Sequence, residues 1–148
     1  MVVSAITAPK AKGIDNIVVA IIHEKDELEK LAKKMEELAE SYGEFFRRDA
    51  DNIRRSQAVV LIGCKIIDIG VKKPNEYKYD VNLVLSLINL GIAIGSAVKT
   101  ASIHNVDNRI MYTVGVAAKN LRLIDADVII GIPLSATSKN IYFDRKWK

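Results

Sequence analysis

Cysteine is the scarcest chemistry in this chain: Cys64 stands alone among 148 residues. A single thiol excludes an internal disulfide framework, and it excludes the four-thiolate ligation of an ordinary iron–sulfur cluster. Histidine is nearly as sparse. His23 and His104 lie far apart and lack metal-ligand spacing, so no metal site is expected. Charge of one sign is missing too, because 22 Lys and Arg are interleaved with 18 Asp and Glu for a net charge of +4. With no basic stripe, nucleic acid is not an expected partner. The first 13 residues (MVVSAITAPKAKG) carry no basic segment ahead of an apolar core, so they do not read as a signal peptide and a cytoplasmic location is expected. There is no internal repeat, low-complexity tract or interdomain linker. What is left, 49% hydrophobic and 27% charged, is the composition of a soluble globular protein. A chain of this size buries roughly 68–70% of its unfolded surface, enough for one core without disulfide or metal. Residues 1–148 are read as a single domain.

The apolar runs that are present set the architecture. Residues 17–22 (IVVAII) are β-branched and bounded by polar residues, which predicts a buried strand. Asp26 followed by Glu29 resembles a capping box, and Leu28, Leu31, Met35 and Leu38 then recur on one face of a helix that Gly43 can end. Residues 44–56 predict a second, charge-dense helix with Phe45, Phe46, Ala50 and Ile53 inside. Strands are predicted at 58–63 (AVVLIG) and at 126–134, the latter ended by Pro133, with a short helix over 110–123. Residues 65–79 contain Gly70, Pro74 and Asn75 and read as a connection. The tail from Ser135 onward alternates small polar, aromatic and basic residues, as an edge strand or an arm across a partner does.

Residues 80–105 are the most unusual segment. Val81, Leu83, Val84, Leu87, Ile88, Leu90, Ile92 and Ile94 lie all round a helical wheel, so this helix must be buried on most sides. At 1.5 Å per residue it runs about 36–39 Å. A transmembrane span is the alternative, since about 20 apolar residues suffice and Gly91 with Gly95 makes a G-x-x-x-G pair. Asn82, Ser86 and Asn89 inside the run, with soluble-type elements on both sides, favour a core helix and no membrane. The glycines then permit close helix–helix approach, and a homodimer is expected.

Five phrases together carry a resemblance: APKAKGID (8–15), FRRDADNIRRSQAVVLIG (46–63), LGIAIGSAVKTA (90–101), VDNRIMYTVGVAAK (106–119) and IIGIPLSATSKNIYFDR (129–145). In this order they resemble a family of uncharacterised proteins described as containing a ferredoxin domain. Members carry a cysteine-rich CGxCG-type insert before a DLGIA helix start. Here that interval holds only Cys64, and Asn89 stands where the aspartate would be. The resemblance therefore does not bring an iron–sulfur cluster with it. A more distant resemblance is to flavin-dependent nitroreductases, whose APSxxN loop corresponds to Ala8, Pro9 and Lys10. The N-terminal Arg-Arg-Ser signature of those enzymes is missing. That resemblance implies an α+β fold, a central mixed β-sheet flanked by helices around one long buried helix. It also implies FMN as cofactor, with its phosphate near Lys139 or Arg145.

Candidate residues follow from both sources. Pro9, Lys10, Lys12, Lys139 and Arg145 are the expected contacts of a small phosphate-bearing ligand, Arg offering a fork and Lys a point charge. Solvated surface cations are the alternative. Asp107, Asn108 and Arg109 read as a structural turn, and Arg48 with Asp49 as a structural ion pair. Ser135, His104 and Asp107 make a triad only on paper, since no G-x-S-x-G elbow exists. Ser96 and Lys99 match S-x-x-K without its companion motifs. Cys64 reads as a small buried hydrophobe. No catalytic residue is named by any motif. The expected function is an FMN-binding, nitroreductase-like redox protein; the alternative is a non-catalytic homodimeric scaffold or regulatory protein that has lost its redox centre.

Overall fold

A computed structural model describes residues 1–143. The run at 17–22 forms β1 (Ile17–Ile22), which pairs antiparallel with β2 (Ala58–Cys64), Ile17 lying opposite Cys64 and Ile22 opposite Val59. Two helices, α2 (Lys25–Tyr42) and α3 (Phe45–Arg55), carry the chain away and back between those strands. β2 pairs next with β4 (Val128–Ser135), and β4 with the two-residue β3 (Asp107–Asn108), in the order β1-β2-β4-β3. The α+β class holds. Every ladder is antiparallel, however, which corrects the expected mixed sheet. A single crossover helix returns a chain parallel to its starting strand, whereas the helical pair between β1 and β2 reverses it.

Alternation along β2 sends Val59 and Leu61 to one face and Val60, Ile62 and Cys64 to the other, so this strand is buried on both sides. The first face is covered by α2, α3 and α5 (Tyr112–Asn120), through Leu31, Met35, Phe46, Ile53 and Val114. The second is covered by α1 (Val2–Ile6) and the long α4 (Val81–Ile103). Asp80 caps α4, its Oδ1 accepting from the backbone N–H of Asn82 at 2.9 Å and of Leu83 at 3.1 Å.

Three local expectations are corrected. α2 starts at Lys25 with Glu24 at its cap and no side-chain cap hydrogen bond, which puts Asp26 inside the first turn and leaves the capping box unformed. Phe46 is fully buried while Phe45 is 45% exposed, because adjacent helical positions point in different directions and cannot share an inner face. Pro133 lies within β4 opposite Val59 instead of ending it. Its missing N–H faces the stretch between Asn108 and Met111, where β3 has stopped pairing, so no ladder hydrogen bond is lost.

α4 is long and apolar enough to cross a membrane by length and composition. Its Leu90, Ala93, Ile94 and Ala97 nevertheless pack on the sheet. Burial all round is not what the chain achieves: Leu87, Ile88 and Ile92 on the opposite side are 41%, 49% and 40% exposed.

Arg54 ties α3 to α2 through two carboxylates, Nε donating to Glu29 at 3.0 Å and Nη1 to Glu36 at 2.6 Å. Those hydrogen bonds hold both glutamates below the ordinary carboxylate range. A lowered folded pKa means the contribution is complete above the unfolded value, roughly 4.3 for Glu, and is lost as pH falls through the folded values. Arg54→Met is therefore expected to lower the urea midpoint slightly at pH 7, as exposed ion pairs do, and by progressively less as the pH falls below the carboxylate range. A deficit that persists in acid would mean that Arg54 acts through packing and not through charge.

Candidate functional site

The loop after α1 is held from beneath by α4. The backbone N–H of Ala11 donates to Asn89 Oδ1 at 2.8 Å, Asn89 Nδ2 donates to Asn16 Oδ1 at 3.0 Å, and Asn16 Nδ2 donates to the Lys65 carbonyl at 2.8 Å. Position 89 must both accept and donate. An amide does this, while an ionised carboxylate only accepts. That requirement explains an asparagine here in place of an aspartate.

Within this loop the expected ligand cations are already engaged. Lys10 folds back so that its side chain is only 7% exposed, 3.6 Å from the Asp15 carboxylate. Its ammonium donates to the carbonyls of Ile6 and, at 3.0 Å, Ala8, at the end of α1. Lys12 adopts a left-handed backbone (φ 52°) and donates to the Gly70 carbonyl at 3.2 Å. Pro9 sits between the buried Ala8 and Lys10.

Lys139 lies at the other end of the sheet. The loop holding Lys10 and Lys12 precedes β1, whose first residue pairs with the last of β2, whereas Lys139 follows β4, whose penultimate residue pairs with the first of β2. At about 3.3 Å per residue, those ends are about 20 Å apart. One chain thus does not bring Lys10 and Lys12 together with Lys139. Arg145 lies outside the described residues.

The described residues past β4, 136–143, form no strand and are tied back to their own chain. Asn140 Nδ2 donates to Asp107 Oδ1 at 3.0 Å, and Asn140 Oδ1 accepts from the backbone N–H of Tyr142 at 3.1 Å. The Tyr142 hydroxyl pairs with Ser56 Oγ at 3.0 Å, and burial pushes its phenol up to about 12. Arg109 reaches this segment as well, donating to the Tyr142 carbonyl at 3.3 Å with its guanidinium 5.2 Å from the Phe143 ring centre. Asp49 is a buried structural anchor, paired with Arg48 at 2.8 Å and accepting from Thr113 Oγ1 at 2.8 Å.

Two clefts open at this same end. One, of about 510 Å3, lies between α1, the end of α4 and the sheet, lined by Val3, Ile21, Val60, Ala101, His104 and Leu134 among others. The second, of about 460 Å3, is lined by Ser102, Asn105, Asp107, Asn108 and Asn140. Val106 lines both. The sequence reading treated this polar run as a turn and missed the clefts; the cluster of Asn and Asp side chains was the available signal.

Other candidates resolve into structure. Ser135 is fully buried, its hydroxyl without a hydrogen-bond partner among the described residues, while Asp107 is bonded to Asn140. With the exposed His104 they form no hydrogen-bonded relay among the described residues. Cys64 is fully buried at the end of β2, and burial, reinforced by the Asp127 charge, pushes its thiol up. A thiol so placed is not a ready nucleophile or ligand.

Residues 80–145 match a family described as uncharacterized protein containing a ferredoxin domain. An uncharacterized protein of Archaeoglobus fulgidus is 44% identical over 162 aligned positions, spanning 98% of this chain and 88% of that relative. Among solved structures, nitroreductase A from Vibrio parahaemolyticus overlays 94% of this chain with a TM-score of 0.63 at 11% identity. The NADPH:FMN oxidoreductase from Vibrio harveyi, complexed with NAD+, overlays 94% with a TM-score of 0.62 at 12% identity. The chain spans only 57% and 58% of those two proteins. At such identities the likeness establishes a nitroreductase-like fold.

Proposed function

The chain belongs to the family of uncharacterized proteins containing a ferredoxin domain, and from its fold we propose that it is a flavin-dependent redox protein that works as a homodimer with FMN as cofactor. The overlay of 94% of the chain on an FMN oxidoreductase is the observation that supports this most. The cluster implied by a ferredoxin domain does not fit the residues present, because the one thiol, Cys64, is buried and held protonated. FMN, when bound, supplies hydride and electron transfer; the protein supplies binding and orientation.

Lys139 offers a point charge for the phosphate at the cleft end of the sheet. The exposed α4 stripe of Leu87, Ile88 and Ile92 is centred near the middle of the helix. Two copies packing there about a two-fold axis perpendicular to the helix run antiparallel. A second reading, the non-catalytic homodimeric scaffold or regulatory protein, is favoured by a specific observation: Lys10 and Lys12 already satisfy backbone carbonyls of their own chain.

An ultraviolet–visible spectrum, taken as purified and after FMN addition, separates the two. Flavin absorbance at one FMN per chain is expected. Lys139→Ala is expected to weaken FMN about tenfold, the scale of a lost charge-assisted hydrogen bond, while riboflavin, which has no phosphate, binds unchanged. A protein that takes up no flavin supports the scaffold.

A further inference from the structure

We infer that the two clefts at the C-terminal end of α4 form one binding site for a ligand with a flat apolar ring and a hydroxyl-bearing arm. This deepens the flavin reading and rests on it only in naming flavin as one such ring.

The clefts adjoin at Val106, which lines both, so a single molecule reaching across that residue occupies the two. The chemistry divides sharply at that residue. On one side Val3, Ile21, Val60 and Leu134 offer an apolar seat, with the buried Val60 and Ala101 belonging to the central strand and to α4. Each cleft is in the usual size range of a ligand pocket, roughly 300–1,000 Å3. On the other side the side chains are fixed by contacts of their own. Asn108 Nδ2 donates to the Val106 carbonyl at 3.1 Å, and Asn140 Nδ2 donates to Asp107 Oδ1 at 3.0 Å.

Those contacts decide what the polar cleft seeks. They use one N–H of each amide and leave a mixed set: the second carboxylate oxygen of Asp107 and the side-chain carbonyl of Asn108 as acceptors, and the second N–H of Asn108 and of Asn140 as donors. Hydroxyls, which both donate and accept, match such a set. The Asp107 charge disfavours a phosphate inside the cleft, so an anionic end must leave it, and Lys139 is the sequence neighbour of the lining residue Asn140. At the apolar cleft His104 has no side-chain hydrogen bond to another described residue beyond those of its backbone, so its imidazole is available to a ring heteroatom. A ring with a polyol or ribose arm satisfies each of these demands, and flavins and nucleosides share that chemistry.

The test is a nuclear magnetic resonance titration of the uniformly 15N-labelled full chain with riboflavin, FMN and adenosine, repeated on Asp107→Ala. Shift changes are expected at Val60, Ala101, His104, Val106, Asn108 and Asn140, with affinity about tenfold lower in the variant. Adenosine mapping to the clefts while neither flavin binds supports this site and ends the flavin reading. Flavin binding with shifts confined to residues 8–16 overturns the site and leaves the flavin reading standing. No shift at the clefts with any of the three probes overturns it as well.

Discussion

Gly115→Ala is expected to destabilise the protein by about 3 kcal/mol or more, the upper range of overpacking. A Cβ at this position would stand 1.8 Å from the Ile129 carbonyl oxygen, 2.6 Å from its carbon and 3.1 Å from Ile130 Cα. All three are backbone atoms of β4, so no side chain can rotate out of the way. In helix α5 the substitution alone favours folding by about 1 kcal/mol, because alanine is the better helix former. The clash opposes this and is the larger effect. Relieving it means moving α5 off the sheet, which loosens the packing of Val114, Ala117 and Ala118. It also pulls on the paired hydrogen bonds between Met111 and Gly131, at 2.8 and 3.1 Å. Urea denaturation followed by far-ultraviolet circular dichroism measures the loss. A variant within about 0.5 kcal/mol of the parent, as an inconsequential surface change would be, means that α5 does not sit this close to β4.

That contact also marks where sequence reading stops. The strands at 17–22 and 58–63 and the inner face of α2 were legible because each is a local pattern: a β-branched run or a recurrence at helical spacing. The intimate approach of Gly115 to Ile129 joins positions remote in the chain, and a glycine in a helical pattern looks only like a weak helix former. β3 was invisible for a related reason. Two residues carry no periodicity, and Asp107 and Asn108 have the composition of a turn.

The candidate site was legible in its charges and not in their partners. Lys10 and Lys12 were correctly seen as cations, yet no local pattern reveals that the carbonyls of Ile6, Ala8 and Gly70 would take their hydrogen bonds. Asn89 looked like a polar interruption in an apolar run, and it is the bracket of the 8–16 loop. The clefts are assembled from Met1 through Asn140, nearly the whole chain, so only the fold could bring their walls together.

The second large effect concerns α4. Ile88→Asp combined with Ile92→Asp is expected to convert a dimer into a folded monomer. Ile88 and Ile92 are four residues apart on the outward face, and Gly91 and Gly95 beside them have nothing within 4 Å of where a Cβ would stand. An apolar helical stripe with small residues along it is the surface that another helix packs on closely. In an antiparallel two-fold crossing near the middle of α4, each new carboxylate is buried near its symmetry mate. Unpaired buried charges and like-charge contacts each cost several kcal/mol, enough to separate the chains. Neither position supports the sheet, so the circular dichroism spectrum should stay as it was. Size-exclusion chromatography with light scattering, without detergent, reads the mass. A parent protein already monomeric under those conditions removes the dimer; one that stays in solution only with detergent returns α4 to a membrane. The variant also tests whether the site is shared: if it loses FMN with the dimer, the partner chain completes the pocket, whereas undiminished FMN affinity in the monomer assigns the whole pocket to one chain.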